Sequence, residues 1–380
     1  MFNEIVQFIR KIFDTKGLIP LHEPRFIGNE KKYLNECIDS TYVSYVGAFV
    51  ERFEDMVEDF TGSRFAVSTA NGTLALHLAL MTIGVKPGDE VITQALTFVA
   101  TANAIIHCGA KPVFVDCDRE TLGMSHEKLE EFLNENTLLG DDGYCYNKKT
   151  GKRIAACVPV HVFGHPVNIK AIKETCKSYG IRVVEDAAES LGSFFENKHT
   201  GTFAHIGILS FNGNKIVTTG GGGMVITDDE GLAQRARHIA TTAKRIHQWE
   251  FIHDEIGYNY RMPNVNAAIG CAQMEKLDFF LENKRELARI YKEFFRNIGI
   301  EYFSERKGCC SNYWLNTIIL KDKSQRDAFL DFAHKNGVMS RPAWTLLNKL
   351  PMYKDCETTD LEHAQWLEDR IVNLPSSVRI

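Results

Sequence analysis

Residues 64–227 alternate between short apolar runs and helical patterns, which predicts an α/β fold with a mostly parallel central sheet. Two further observations support this class. Runs such as Pro112-Val113-Phe114-Val115 and Val183-Val184 read as strands covered on both faces, as parallel strands are. After residue 262 the rhythm gives way to a long helical stretch and an isolated strand, which predicts a smaller α+β C-terminal domain. At roughly 150 residues per domain, 380 residues suit two domains. We expect residues 1–255 to form an N-terminal helix plus a large α/β domain, and residues 256–380 the small one.

The elements follow from local pattern. Phe2, Ile5, Val6, Ile9 and Phe13 recur at helical spacing, so the chain opens with an amphipathic helix packed on the body or on a partner. Glu4, Arg10 and Lys11 interrupt it, which excludes a spanning helix or a signal peptide. Helices are expected at 29–40, 48–60 and 73–83, with a strand at 64–68 between the last two. The turn Lys86-Pro87-Gly88-Asp89 leads into a strand at 91–93. A helix over 99–108 and a strand at 112–116 follow. Residues 143–154 read as a hairpin around a Gly-containing turn. Strands at 154–160, 181–185, 206–211 and 223–227 complete the large sheet, with a helix over 168–179. Beyond it, 263–297 reads as one long helix, 312–320 as a strand and 324–335 as a helix.

Composition narrows the function. Apolar residues make up 44% of the chain, enough for a packed core. The net charge of −5, with no Lys/Arg block, argues against a nucleic-acid or anionic-membrane partner. Ten scattered cysteines, without a C-x-x-C, lack zinc or iron–sulfur spacing and suggest buried thiols in a reducing, cytoplasmic setting. His161 and His165 are four apart, but in a strand-then-turn context and without a nearby acidic third ligand, so no metal site is expected.

The chemistry sits in three places. Lys215 lies in a loop rich in Ser, Asn and Gly, and its amine can form a Schiff base with an aldehyde cofactor. Asp186 ends a buried strand, where it can partner a pyridinium nitrogen and keep it protonated. Asn71-Gly72-Thr73 joins a strand to a helix, and a helix N-terminus offers free amides and positive dipole to a phosphate. In that chain order the three point to pyridoxal phosphate and a transaminase. Phe98 can stack on a flat ring, and Ser210 stands beside the lysine loop.

Together the NGT loop, GDEVI at 88–92, TFVATANAI at 97–105, PVFVD at 112–116, EDAAES at 185–190, SFNGNK at 210–215 and GYNYRMP at 257–263 resemble the DegT/StrS family of nucleotide-sugar aminotransferases. That resemblance spans nearly the whole chain and implies a fold-type I pyridoxal phosphate enzyme acting as a homodimer. It implies Lys215 as the Schiff-base lysine, Asp186 as the pyridinium partner and Phe98 as the stacking ring. Gly72, Thr73 and Ser210 would hold the phosphate. Asn259 would reach the phosphate of the neighbouring subunit, and Glu189 would lie near the 3′-oxygen, where relatives often carry Gln or His. Gly221 stands where many members have Glu. Tyr45, Arg341 and Trp344 are the implied sugar-nucleotide contacts. Related dehydratases replace the lysine with His or carry an iron–sulfur motif, and sensory homologues lose the Lys or Asp; this chain does neither. Residues 21–33, 43–54, 211–223 and 373–377 most resemble the branch that aminates C4 of UDP-2-acetamido-2,6-dideoxy-4-keto-glucose from L-glutamate, for surface glycans.

Overall fold

The computed structural model describes residues 1–380. Helices α1 (Phe2–Phe13), α2 (Glu30–Ser40) and α3 (Ala48–Thr61) precede strand β1 (Phe65–Thr69). Next come α4 (Gly72–Thr82), β2 (Glu90–Gln94), α5 (Ala100–His107), β3 (Lys111–Val115), α6 (His126–Asn136), β4 (Thr137–Leu139), β5 (Cys145–Asn147) and β6 (Arg153–Val158). Then α7 (Ile169–Ser178), β7 (Arg182–Asp186), β8 (Ile206–Ser210), β9 (Gly223–Thr227) and α8 (Glu230–Ala240) close the large α/β part.

Its sheet runs β1-β9-β8-β7-β6-β2-β3. From β8 to β3 every neighbour is parallel. Strand β9 is antiparallel to both β8 and β1. Two reversals cancel, so β1 points the same way as β8. The carboxyl ends of β1, β8, β7, β6 and β2 therefore share one edge, where open α/β sheets bind ligands. Successive residues face opposite sides. Val184 packs with Val67, Leu76 and Ile208 on one face, while Val183 packs with Ile92, Leu129 and Ile172 on the other. Cover on both faces explains why these strands lack polar alternation.

The C-terminal part holds α9 (Asn264–Met274), α10 (Leu277–Asn297), β10 (Glu301–Tyr302), β11 (Asn316–Ile319), α11 (Lys323–Lys335), β12 (Arg341–Pro342) and β13 (Ile371–Leu374). Its antiparallel sheet runs β10-β11-β13-β12.

Several expectations are corrected. The single helix expected over 263–297 is two, because its halves serve different bodies. Ala267, Ala268 and Cys271 of α9 pack with Val50, Phe53 and Val57 of α3, whereas Leu287, Tyr291 and Phe295 of α10 join a separate core. Glu275 pins the break by accepting hydrogen bonds from the Tyr33 hydroxyl at 2.6 Å and Arg52 at 2.7 Å. The strand expected over 312–320 shortens to Asn316–Ile319, since Asn312 turns inward and donates to the carbonyls of Glu189 and Leu191, each at 2.9 Å. Strand β4, which pairs with β5, was not anticipated; the β5–β6 hairpin was.

The N-terminal helix also changes sides. Ile5, Val6 and Ile9 are fully buried against Leu287, Tyr291, Phe295, Ile318 and Phe329, all from the C-terminal part. Phe8 stacks on Phe294 with centroids 3.6 Å apart. A boundary at residue 255 divides the chain but not the packing: α1 sits with the C-terminal sheet, and α9 with α2 and α3. All ten cysteines are free, seven of them buried. No helix is long and apolar enough to cross a membrane.

Candidate active site

The shared sheet edge gathers residues far apart in sequence. Asp186 ends β7 and Ser210 ends β8, with Ile208 in register with Asp186. Helix α4 starts at Gly72 just beyond the carboxyl end of β1, and Phe98 lies between β2 and α5. With Thr73, Glu189, Lys215 and Trp344, these line one cleft of about 310 Å³.

Close backbone approach sets its floor. A Cβ on Gly72 would lie 3.0 Å from Ser210 Cβ, and one on Gly223 would lie 2.4 Å from the Asn71 carbonyl oxygen. Asn71 caps α4 by accepting from the Leu74 N–H at 2.9 Å. The amides of Gly72 and Thr73 come too early in the helix for intrahelical acceptors and are available to an anion. At Gly221 a Cβ would meet only the Ala70 carbonyl oxygen, at 3.6 Å. Packing thus demands glycine at 223 but leaves room for a side chain at 221.

Asp186 is buried. Its Oδ2 accepts from the Thr101 hydroxyl at 2.8 Å and its Oδ1 from the Ala188 N–H at 3.2 Å. Burial raises its pKa, and the two hydrogen bonds offset only part of that. Glu189 is buried too, and burial raises its pKa against the pull of Lys215. Its Oε1 accepts from Lys215 Nζ at 3.3 Å and its Oε2 from the Phe163 N–H at 2.8 Å. The carboxylate at this position is therefore compensated by a cation. Lys215 Nζ also lies 3.7 Å from the centroid of the Trp314 ring, a cation–π contact. The Trp314 indole donates to the Asn214 carbonyl oxygen at 2.7 Å and ties down the lysine loop.

The remaining predicted residues fall elsewhere. Arg341 lines an adjoining cavity, and Trp344 lines both. Tyr45 is exposed and lines neither. Asn259 is exposed in an isolated bridge with Thr241, outside its own chain's cleft. His161 bonds Glu185 at 3.0 Å and accepts from the Val167 N–H, so it serves the buried frame behind the site. Sequence reasoning missed Thr101 and Trp314. Thr101 stood inside TFVATANAI, three residues past Phe98 and second in α5. Trp314 had no signal, since 99 residues separate it from Lys215.

A lysine amine, a buried carboxylate with a raised pKa, an exposed aromatic face at Phe98 and a capped helix N-terminus can hold pyridoxal phosphate. When bound, its aldehyde would be met by the Lys215 amine, its ring nitrogen by the Asp186 carboxylate and its phosphate by the start of α4. That fold and site define a pyridoxal-phosphate-dependent enzyme of fold type I. The comparisons place it further. The model of the DegT/DnrJ/EryC1/StrS aminotransferase family matches residues 24–380, and the chain belongs to that family. A GDP-perosamine synthase of Escherichia coli O157:H7 is 38% identical over 94% of this chain and 93% of its own length. The GDP-perosamine synthase of Vibrio cholerae is 36% identical, covering 94% of each. Among solved structures, the aminotransferase TlmJ from Streptoalloteichus hindustanus superposes with a TM-score of 0.85 at 29% identity, over 95% of this chain and 94% of its own. The chain is an aminotransferase whose cofactor is pyridoxal phosphate.

Proposed function

We propose that this enzyme moves an amino group from L-glutamate to the C4 keto carbon of a nucleotide-linked 6-deoxy sugar, for surface glycan synthesis. The observation that carries the transfer is Lys215 Nζ held in the cleft between Glu189 and the Trp314 ring. Pyridoxal phosphate supplies the electron sink when bound. Lys215 takes the proton from the donor's α-carbon and, in the second half, delivers one to the sugar carbon. Glu189 and Trp314 hold the amine in place between these transfers. Asp186 anchors the ring nitrogen, Phe98 covers a ring face, and Gly72, Thr73 and Ser210 receive the phosphate. Asn259, exposed on its own chain, reaches the phosphate of a second copy, so the working unit is a homodimer.

The sugar we assign is UDP-2-acetamido-2,6-dideoxy-4-keto-glucose. Three of the four segments that resemble the UDP-sugar branch wall the two cavities: Leu21 and His22, then Asn212, Asn214 and Lys215, then Asn373. A second reading has its own support. The GDP-perosamine synthases share 34–38% identity with this chain, which favours a GDP-linked sugar. We rank the cavity walls above overall identity because only residues at the cavities can meet the sugar nucleotide. The test is a panel of UDP-, GDP- and dTDP-linked 4-keto-6-deoxy sugars with L-glutamate, read by product mass. Clearly higher kcat/KM on the GDP sugar overturns the UDP assignment and leaves the aminotransferase standing. No amination of any member overturns the proposed function.

A further inference from the structure

The backbone that delivers Trp314 to Lys215 is strained. Tyr313, the residue before it, has a φ of 46°. That is the left-handed region, where a bulky side chain is an outlier kept in place by its surroundings. Strands β11 and β13 pair Asn316 with Leu374, so the same register would set Trp314 opposite Ser376. The ladder does not continue that far. The Trp314 N–H donates instead to the Asn312 side-chain oxygen at 2.8 Å, and the Ser376 N–H to the Leu21 carbonyl oxygen at 2.7 Å. Two carbonyls are thereby left without their ladder donors.

Lys284 of α10 serves both. Its Nζ donates to the Trp314 carbonyl oxygen at 3.2 Å and to that of Ser376 at 2.6 Å. The side chain is fully buried, and burial lowers its pKa to about 7 with no carboxylate partner to offset the effect. A buried amine is costly, and an apolar residue of the same length would fill the space without that cost. What an apolar residue could not do is hold the two carbonyls. The segment after β13 has other ties of this kind: Tyr291 donates to the Pro375 carbonyl oxygen, Arg25 to that of Val378 and Asn283 to that of Arg379. Lys284 is one donor among four there, whereas at Trp314 it holds the strained turn itself.

We infer that Lys284 is a positioning residue for amino transfer, fixing the Trp314 backbone so that the Trp314 ring stays against the Lys215 amine. This rests on the reading above of Lys215 as the group that moves the proton in both halves. The link is short. The ring lies 3.7 Å from Lys215 Nζ, and its indole N–H holds the Asn214 carbonyl oxygen at 2.7 Å, one residue before the lysine. Freeing the Trp314 carbonyl lets Tyr313 relax out of the left-handed region. That relaxation turns Trp314 and withdraws both contacts. A displacement of roughly 1 Å at a reacting group can cost on the order of 10²-fold in rate.

The experiment is a double-mutant cycle of Lys284→Met and Trp314→Ala, with Tyr291→Phe as a control that removes a tie of the same terminal segment without touching Trp314. One readout is the rate at which the cofactor-free protein captures pyridoxal phosphate on Lys215, trapped with borohydride and located by peptide mass. The other is the single-turnover rate and half-saturation of the holoenzyme with L-glutamate, followed by cofactor absorbance. We expect Lys284→Met to slow capture and turnover about tenfold or more, with half-saturation by glutamate within about threefold. Tyr291→Phe should stay within about twofold of wild type, and Lys284→Met should add less than about twofold once Trp314 is already Ala. Wild-type rates in Lys284→Met overturn the inference. So does full additivity with Trp314→Ala, which would mean that Lys284 does not act through the ring. Equal slowing by Tyr291→Phe also overturns it, because the effect would then belong to the terminal segment. If Lys284→Met fails to fold, Lys284→Gln, too short to reach both carbonyls, takes its place in the cycle. It should slow both rates at least about threefold, and wild-type rates in it overturn the inference equally. Turnover by Lys215→Ala would overturn the parent reading instead, and is seen before any Lys284 variant is made.

Discussion

At the scale of single residues the site is a balance of buried charge. Lys215 is the one cleft amine, so Lys215→Ala should abolish turnover and the covalent attachment of the cofactor while the protein still folds. Absorbance of the purified variant and its reduction with borohydride check this. Asp186→Asn should retain the cofactor but slow both half-reactions. Removing one member of a buried pair costs roughly 3–5 kcal/mol, on the order of 10³-fold in rate. Single-turnover rates with glutamate measure it. Asp186 also links the site to pH. Its folded-state pKa is raised, chiefly by burial, so in the cofactor-free protein the ionised carboxylate is the costly form. That penalty is absent below the ordinary carboxylate range, grows as pH rises through it, and is complete above the raised value. At pH 7 cofactor-free Asp186→Asn should therefore melt no lower than cofactor-free wild type, while with cofactor it should melt lower. Calorimetry of the four samples decides.

At the scale of elements the decisive feature is β9, which runs against both neighbours and lays Gly223 beside Thr69 at the mouth of α4. A Cβ there would strike the Asn71 carbonyl oxygen at 2.4 Å and the Gly72 nitrogen at 2.8 Å, both of them backbone. Gly223→Ala should shift the start of α4 and weaken cofactor binding at least tenfold, read by titrating the cofactor-free protein. Gly221→Ala, with its contact at 3.6 Å, should bind normally. Helices and strands of the sheet were legible because each repeats a period of 3.6 or 2 against a buried face. The break in 263–297 was not, since apolar residues persist through it and only the body they face changes. Likewise Asp186, Lys215 and the Gly72 turn could be read locally, whereas Thr101 and Trp314 meet Asp186 and Lys215 only where distant segments come together. The direction of β9 was equally hidden, because an apolar run does not state its sense.

At the scale of the whole molecule, the exposed position of Asn259 makes a specific demand. If it serves the neighbour's phosphate, a hybrid of Lys215→Ala and Asn259→Ala subunits holds one site with both defects and one with neither. Activity should reappear on subunit exchange, toward half of wild type in each hybrid. Exchange proven by mass without recovery counts against a shared site. The far end of the molecule depends on α1. Ile9 is fully buried among Leu287, Tyr291 and Phe329, and Ile9→Ala should cost about 2–5 kcal/mol, measured by denaturant unfolding.

That docking of the first helix on the last sheet has a consequence for how the polypeptide is made. Residues 2–13 leave the ribosome long before the seat they pack on, which is built from α10, β11, α11 and β13 and ends at Leu374. At ~5–20 residues per second, the interval is on the order of tens of seconds. During all of it a strip of Ile5, Val6 and Ile9 stays uncovered, while the cofactor-binding sheet can already close behind it. Until its seat is made, that strip is an apolar surface without a partner, the kind that favours aggregation in chains still being built.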